Sequence, residues 1–130
     1  MTGNRYGIST LAMCSLQNYL DVHHVTEVHH GDCRGADEDF HNAVTEKGIQ
    51  TVVHPPDNST MRAYCKGTEI LKPKPYISRN HDIVNASEIL IAFPSTKTEI
   101  QRSGTWATIR YARKQGKQVI LIYPNGECSI

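Results

Sequence analysis

Apolar and polar positions alternate between two spacings along the chain, and the alternation predicts strands and helices in turn. Over residues 9–20, Leu11, Leu16, Tyr19 and Leu20 recur at helical spacing, with Ser9 or Thr10 as N-cap. Residues 25–30 (VTEVHH) read as a short strand and residues 31–35 (GDCRG) as a turn. Residues 36–47 form the next helix: Ala36, Phe40, Ala43 and Val44 share a face, acids crowd the first turn, and Gly48 follows as a closing residue. A strand over residues 50–54 ends at Pro55-Pro56. Residues 55–77 hold four prolines and no clear period, and read as a long loop with one short helix near residues 62–68. A loop of that length in a compact domain is usually functional. A helix over residues 78–86, a strand over 88–93, a helix over 105–115 and a strand over 118–123 complete the pattern, the last helix ending in Arg113, Lys114 and Gly116.

The late strands, EILIAF and QVILIY, are continuously apolar. Strands of that kind are buried on both faces, as in a parallel α/β sheet. The expected fold class is therefore α/β: a single Rossmann-like domain with a mostly parallel sheet of four to five strands and helices on both faces. Met1, Thr2 and Gly3 leave almost nothing for an opening strand, which is expected as a stub. No internal repeat, low-complexity tract or linker divides residues 1–130.

In such a sheet, ligands bind at the carboxyl ends of the strands. Residues 2–6, 31–35, 54–62 and 94–105 all follow strands, so they should meet at one edge. Thr2, Gly3 and Arg5 offer a hydroxyl, a backbone amide and a guanidinium. Gly31 and Gly35 permit tight turns around Asp32, and Arg34 presents a planar fork to a phosphate or carboxylate. Ser103, Gly104 and Thr105 open a helix whose first N–H groups lack partners and lie at the positive end of its dipole, a ready anion site. Asp37, Glu38 and Asp39 already neutralise the start of the earlier helix, so Asp37 is assigned to ribose hydroxyls or to capping. The phosphate is assigned to residues 103–105.

The net charge of +1 shows no strong pull toward nucleic acid or membranes. The basic cluster of Arg102, Arg110, Arg113, Lys114 and Lys117 reads as a solvated helix face. Cys14, Cys33, Cys65 and Cys128 are scattered without a C-x-x-C pair, which suits free thiols in a reducing cytoplasm. No run approaches the roughly 18 apolar residues of a membrane span, and no apolar signal-peptide core is present.

His23-His24 and His29-His30 invite a metal reading. Adjacent strand residues point to opposite faces, however, and no cysteine stands at ligand spacing, so neither a metal nor a cofactor is expected. His41 reads as a polar residue packed at the helix–sheet edge rather than a general base. His54, at the end of a strand on the ligand edge, is the better contact candidate. Trp106 reads as a first-turn core anchor or a subunit contact rather than a stacking surface, and Cys33 has no dyad partner that would make it a nucleophile.

Taken together, these segments resemble the SLOG superfamily, named for the DNA-processing protein A (Smf) and LONELY GUY proteins. Residues 31–37 (GDCRGAD) with His41 are similar to the family's G-x-A-R-G-[AI]-D…A-H pattern. Arg79-Asn80 with Ile83 is similar to its R-N-x-x-I segment, and Ser103-Gly104-Thr105 to its S-G-T or G-G-x-G-T phosphate loop. The motifs run in the family's order over nearly the whole chain. The resemblance implies a Rossmann-like sheet that binds a nucleotide or nucleotide-derived small molecule, usually in a homo-oligomer, with Arg79 and Asn80 at the site. LONELY GUY enzymes, which cleave the base from a nucleoside monophosphate, carry P-G-G-x-G-T-x-x-E. Here Ile100-Gln101-Arg102-Ser103 replaces the start of that motif and Thr108 stands at the glutamate position. The expectation is therefore a sensor or sequestering module without turnover. An N-glycosidic hydrolase drawing on Glu99, Glu69 or Asp32 is the first alternative, and a single-stranded nucleic-acid binder, disfavoured by the balanced charge, the second.

Overall fold

The strand–helix alternation is realised in the computed structural model, which describes residues 1–130. The strands are β1 (Thr2–Gly3), β2 (Glu27–His30), β3 (Gln50–Val53), β4 (Glu69–Ile70), β5 (Ile89–Phe93), β6 (Gln118–Ile122) and β7 (Cys128–Ser129). The helices are α1 (Thr10–Val22), α2 (Ala36–Glu46), α3 (Tyr76–Asn85) and α4 (Gly104–Lys114). Hydrogen bonds define two sheets, β1-β5-β6-β7 and β2-β3-β4, in which every pairing is parallel except β6 with β7. The amino group of Met1 donates to the carbonyl of His29 at 2.6 Å, so β1 stands beside β2. The α/β class holds. There are seven strands rather than four or five, because β4 and β7 are two-residue strands that periodicity does not reveal.

Period-2 alternation distributes the core. Along β6, Ile120 and Ile122 join Leu16, Phe40, Val44 and Phe93 in a cluster under α1 and α2. Val119 and Leu121 face the other way, joining Leu90, Ala92, Trp106, Ile109 and Ala112 under α4. Helices thus cover both faces. Trp106 is a core anchor, although its indole Nε1 is buried without an acceptor. The first strand is the expected stub: Thr2 and Gly3 pair only with Ala92 and Phe93. A cavity of about 400 Å³, lined in part by Met1, Val28, Phe40, Ile89 and Ile91, opens between β2 and β5 below it. No helix is long and apolar enough to cross a membrane.

Two sequence expectations are corrected. The short helix of the long loop is a 3-10 turn at Ser59–Met61, not near residues 62–68. Asn58 Oδ1 accepts from the Thr60 amide at 3.2 Å and starts the turn. The following backbone is kept out of a helix by the Cys33–Arg62 bridge, by the Cys65 amide on Asp32 Oδ1 at 2.8 Å, and by the pairing of Glu69 and Ile70 with Val52 and Val53, with Tyr64 at φ 57. Helix α3 begins at Tyr76 rather than at residue 78, because Pro75 supplies the cap position and its carbonyl accepts from the Arg79 amide at 2.9 Å.

Candidate functional site

Eight of the residues expected at the ligand edge line one small cleft at the carboxyl ends of β1 and β2: Thr2, Gly3, Arg5, Gly31, Arg34, Asp37, Arg79 and Asn80. Cys33, Met61, Tyr76 and Ile83 are among the other lining residues. The loops are tied closely. The Ala36 amide donates to the Asn4 carbonyl at 3.0 Å, and the Arg34 amide to the Met61 carbonyl at 3.1 Å. Gly35 has φ +99, and a Cβ there would lie 2.5 Å from the Arg5 carbonyl carbon, so glycine is what lets the two loops touch. The cleft holds about 40 Å³. That is room for a water-sized group, against several hundred Å³ for a site that engulfs a small molecule. A larger ligand must therefore lie across the rim.

The charged residues divide into two kinds. Arg5 and Arg34 reach solvent and neither is in an ion pair. Arg79 and Asp32 are buried and occupied. Arg79 Nη1 donates to the carbonyls of Gly31 and, at 2.9 Å, His54, while its Nε donates to Asn80 Oδ1 at 2.8 Å. Asp32, at φ 56, accepts from Arg62 Nε on one carboxylate oxygen and from the Cys65 amide on the other, both at 2.8 Å. It pins the long loop to the end of β2. Asp37 is a third case: it lines the cleft, yet is buried and accepts from the Cys33 amide at 3.1 Å. Burial pushes its carboxyl above the ordinary range, and the Arg79 guanidinium opposes this.

The remaining expected residues lie off the cleft. His54 contributes its carbonyl to Arg79, but its ring turns to His29, with Nε2 2.8 Å from His29 Nδ1. Glu27 Oε1 lies 2.7 Å from the other nitrogen of His29. Burial, with His29 adding, lowers His54 to about 4. Ser103, Gly104 and Thr105 open α4 as expected. The Ser103 hydroxyl accepts from the Trp106 amide at 3.2 Å, which leaves the Gly104 and Thr105 amides without an acceptor in the chain. The start of α4 adjoins the cleft through Tyr76: a Cβ at Gly104 would lie 3.2 Å from Tyr76 Cε1.

His30, His41 and Cys65 are all buried and bring potential ligand atoms within 4.8 Å of one another, a grouping that sequence adjacency does not suggest. It does not fit a metal. The Asp32 amide donates to His30 Nδ1 at 3.0 Å, which places the imidazole proton on Nε2, and Nε2 lies 3.0 Å from His41 Nδ1. Metal on His30 Nε2 would need that proton on Nδ1, facing another N–H. The Cys65 thiol is pushed up to about 12, first by burial and then by Asp32. Burial also lowers both histidines. The grouping is a hydrogen-bonded pair of histidines beside a buried thiol, and it helps to hold the 31–35 turn through the Asp32 amide.

Sequence reasoning missed Tyr76, and part of the signal was available: a proline at position 75 marks a helix start at residue 76. Fold and cleft together define an α/β protein with an arginine-lined rim at its strand carboxyl ends. No family model, curated protein or solved structure matches the chain.

Proposed function

We propose that the chain binds a nucleotide or nucleotide-derived small molecule across this rim, as a sensor or sequestering module. The phosphate lies on the Gly104 and Thr105 amides, with Arg5 and Arg34 supplying charge. The observation that carries the reading is the juxtaposition of two exposed arginines without carboxylate partners and a helix start with unaccepted amides, joined through one tyrosine. The SLOG resemblance belongs to the same reading. So does a Rossmann-like arrangement in which β1, bonded through Met1 to β2, joins the two sheets into one. A cytoplasmic homo-oligomer is part of the proposal.

The test is to denature purified protein and identify released small molecules by mass spectrometry, with calorimetry of AMP and ribose 5-phosphate alongside. Arg34→Ala should weaken AMP binding about tenfold, the value of one charge-assisted contact. Absence of any released nucleotide, together with no binding of either probe at millimolar concentration, refutes the reading.

One observation favours a second reading, N-glycosidic hydrolysis. Thr108 cannot replace the missing glutamate: it is buried and its hydroxyl donates to the Gly104 carbonyl at 3.0 Å. Glu99 is paired with Arg110 at 3.0 Å, and Asp32 is fully engaged. Asp37 is the carboxyl that lines the cleft, and its raised pKa suits a general acid. On this reading AMP is turned over to free base, and Asp37→Asn abolishes turnover while AMP still binds. No base release by the wild type eliminates it.

A further inference from the structure

We infer that Tyr76 selects for ligands carrying an aromatic base: its ring, backed by the Arg79 guanidinium, is the platform on which the base stacks. This rests on the nucleotide reading above and adds to it a specificity-determining residue.

Tyr76 is the first residue of α3, entered from Pro75. Tyr76 lines the cleft and, as a residue, is 45% exposed, although burial raises the pKa of its phenol. Arg79, three residues later and so on the same side of the helix, lies over the ring with Cζ 4.7 Å from the centroid. Arg79 is 2% exposed, its Nη1 and Nε are taken by Gly31, His54 and Asn80, and its Nη2 lies 3.7 Å from Cys33 Sγ. It cannot leave the ring without breaking those bonds. One face of Tyr76 is thus closed by a fixed cation, which leaves the opposite face as the one a base would use. The ring edge abuts Gly104, where a Cβ would come within 3.2 Å of Cε1. The ring therefore stands between the Arg5–Arg34 rim and the free amides of α4.

Size then decides where a base can go. The cleft holds about 40 Å³, too little for a purine or a pyrimidine. A base attached to a phosphate at this edge must lie on the rim, and Tyr76 is the aromatic side chain that lines it. Stacking on a pre-oriented ring gives selectivity for a base over a bare sugar phosphate without reading the base's hydrogen-bonding edge, since every base presents a π-face.

The test is calorimetry of AMP and of ribose 5-phosphate with wild type, Tyr76→Phe and Tyr76→Leu, each checked for native circular dichroism. Tyr76→Phe should keep AMP affinity within about twofold. Tyr76→Leu should weaken AMP binding at least about fivefold, the lower end of base–aromatic stacking, and leave ribose 5-phosphate unchanged. Equal weakening for both probes overturns the inference, since the ring would then only shape the phosphate seat. Undiminished AMP binding in Tyr76→Leu overturns it too, while leaving the nucleotide reading intact. A wild type that binds neither probe sinks both.

Discussion

Replacing Arg79 with methionine separates a residue that builds the site from one that serves it. Methionine matches the length of the side chain but carries no donors. The substitution strips hydrogen bonds from the carbonyls of Gly31 and His54, which directly follow β2 and β3, and leaves both buried. A bond from a charged donor is worth about 1.5–3 kcal/mol, so two amount to about 3–6 kcal/mol. Against this, a buried guanidinium carries a desolvation cost of several kcal/mol that methionine escapes. Asp37 also responds: Arg79 is the main influence holding its carboxyl down, so without it the group rises further and is neutralised more readily. The net expectation is a loss of about 2–4 kcal/mol, a large part of the 5–15 kcal/mol typical of a domain.

The assay is urea unfolding at pH 7, comparing Arg79→Met with Arg34→Met. Arg34 is exposed and unpaired, so its substitution should change stability by no more than about 0.5 kcal/mol. A loss below about 1 kcal/mol for Arg79→Met, or equal losses at the two positions, would refute the division of the arginines into structural and ligand-facing.

Three further outcomes are expected. Stability should fall as pH drops below 6.5, because an imidazole whose pKa is depressed in the fold is protonated first in the unfolded chain; for His54 this runs from 6.5 to about 4, at up to about 1.4 kcal/mol per pH unit. His54→Gln should flatten that slope in denaturant titrations between pH 7 and 5, and an unchanged slope contradicts the assignment. Gly35→Ala, with φ +99 and a Cβ 2.5 Å from the Arg5 backbone, should cost about 2–4 kcal/mol in the same assay; a loss under about 1 kcal/mol shows that the two loops can separate. Gly104→Asp puts a carboxylate at the start of α4, where the dipole tolerates it, and its Cβ requires only a small shift of the Tyr76 ring 3.2 Å away, so it should keep the fold and lose AMP binding by calorimetry; retained affinity refutes the phosphate placement.

What could be read from the sequence follows from where each signal resides. Helix α4 and strands β5 and β6 are legible because their own side chains carry the period and Ser103 carries the cap. Strand β4 is not, because Glu69 and Ile70 are both exposed and are strand only by virtue of β3 beside them. β7 likewise depends on a turn that brings Cys128 back to Ile122. The 62–68 segment fails as a helix for the same reason: Asp32 and Cys33 take its backbone groups from a distance.

The site shows the same limit at the level of side chains. The strand-end rule places Thr2, Gly3, Arg5, Gly31 and Arg34 at one edge, and they line one cleft because topology alone determines which loops meet. It cannot tell which polar groups remain available, since that depends on partners distant in sequence. Asp32 and Arg34 sit two residues apart in one motif. Asp32 is wholly buried with both oxygens committed to Arg62 and Cys65, whereas Arg34 stands at the rim without a carboxylate. A buried and fully bonded group gains nothing by releasing its partners to a ligand, because each bond broken exposes an unpaired polar atom in a dry setting. The motif therefore encodes two jobs at once: Asp32, Arg79, His30 and His41 shape the loops, which frees Arg5, Arg34 and Tyr76 to face whatever the rim binds. Substitutions in the first group should act on folding and on binding together, and those in the second on binding alone.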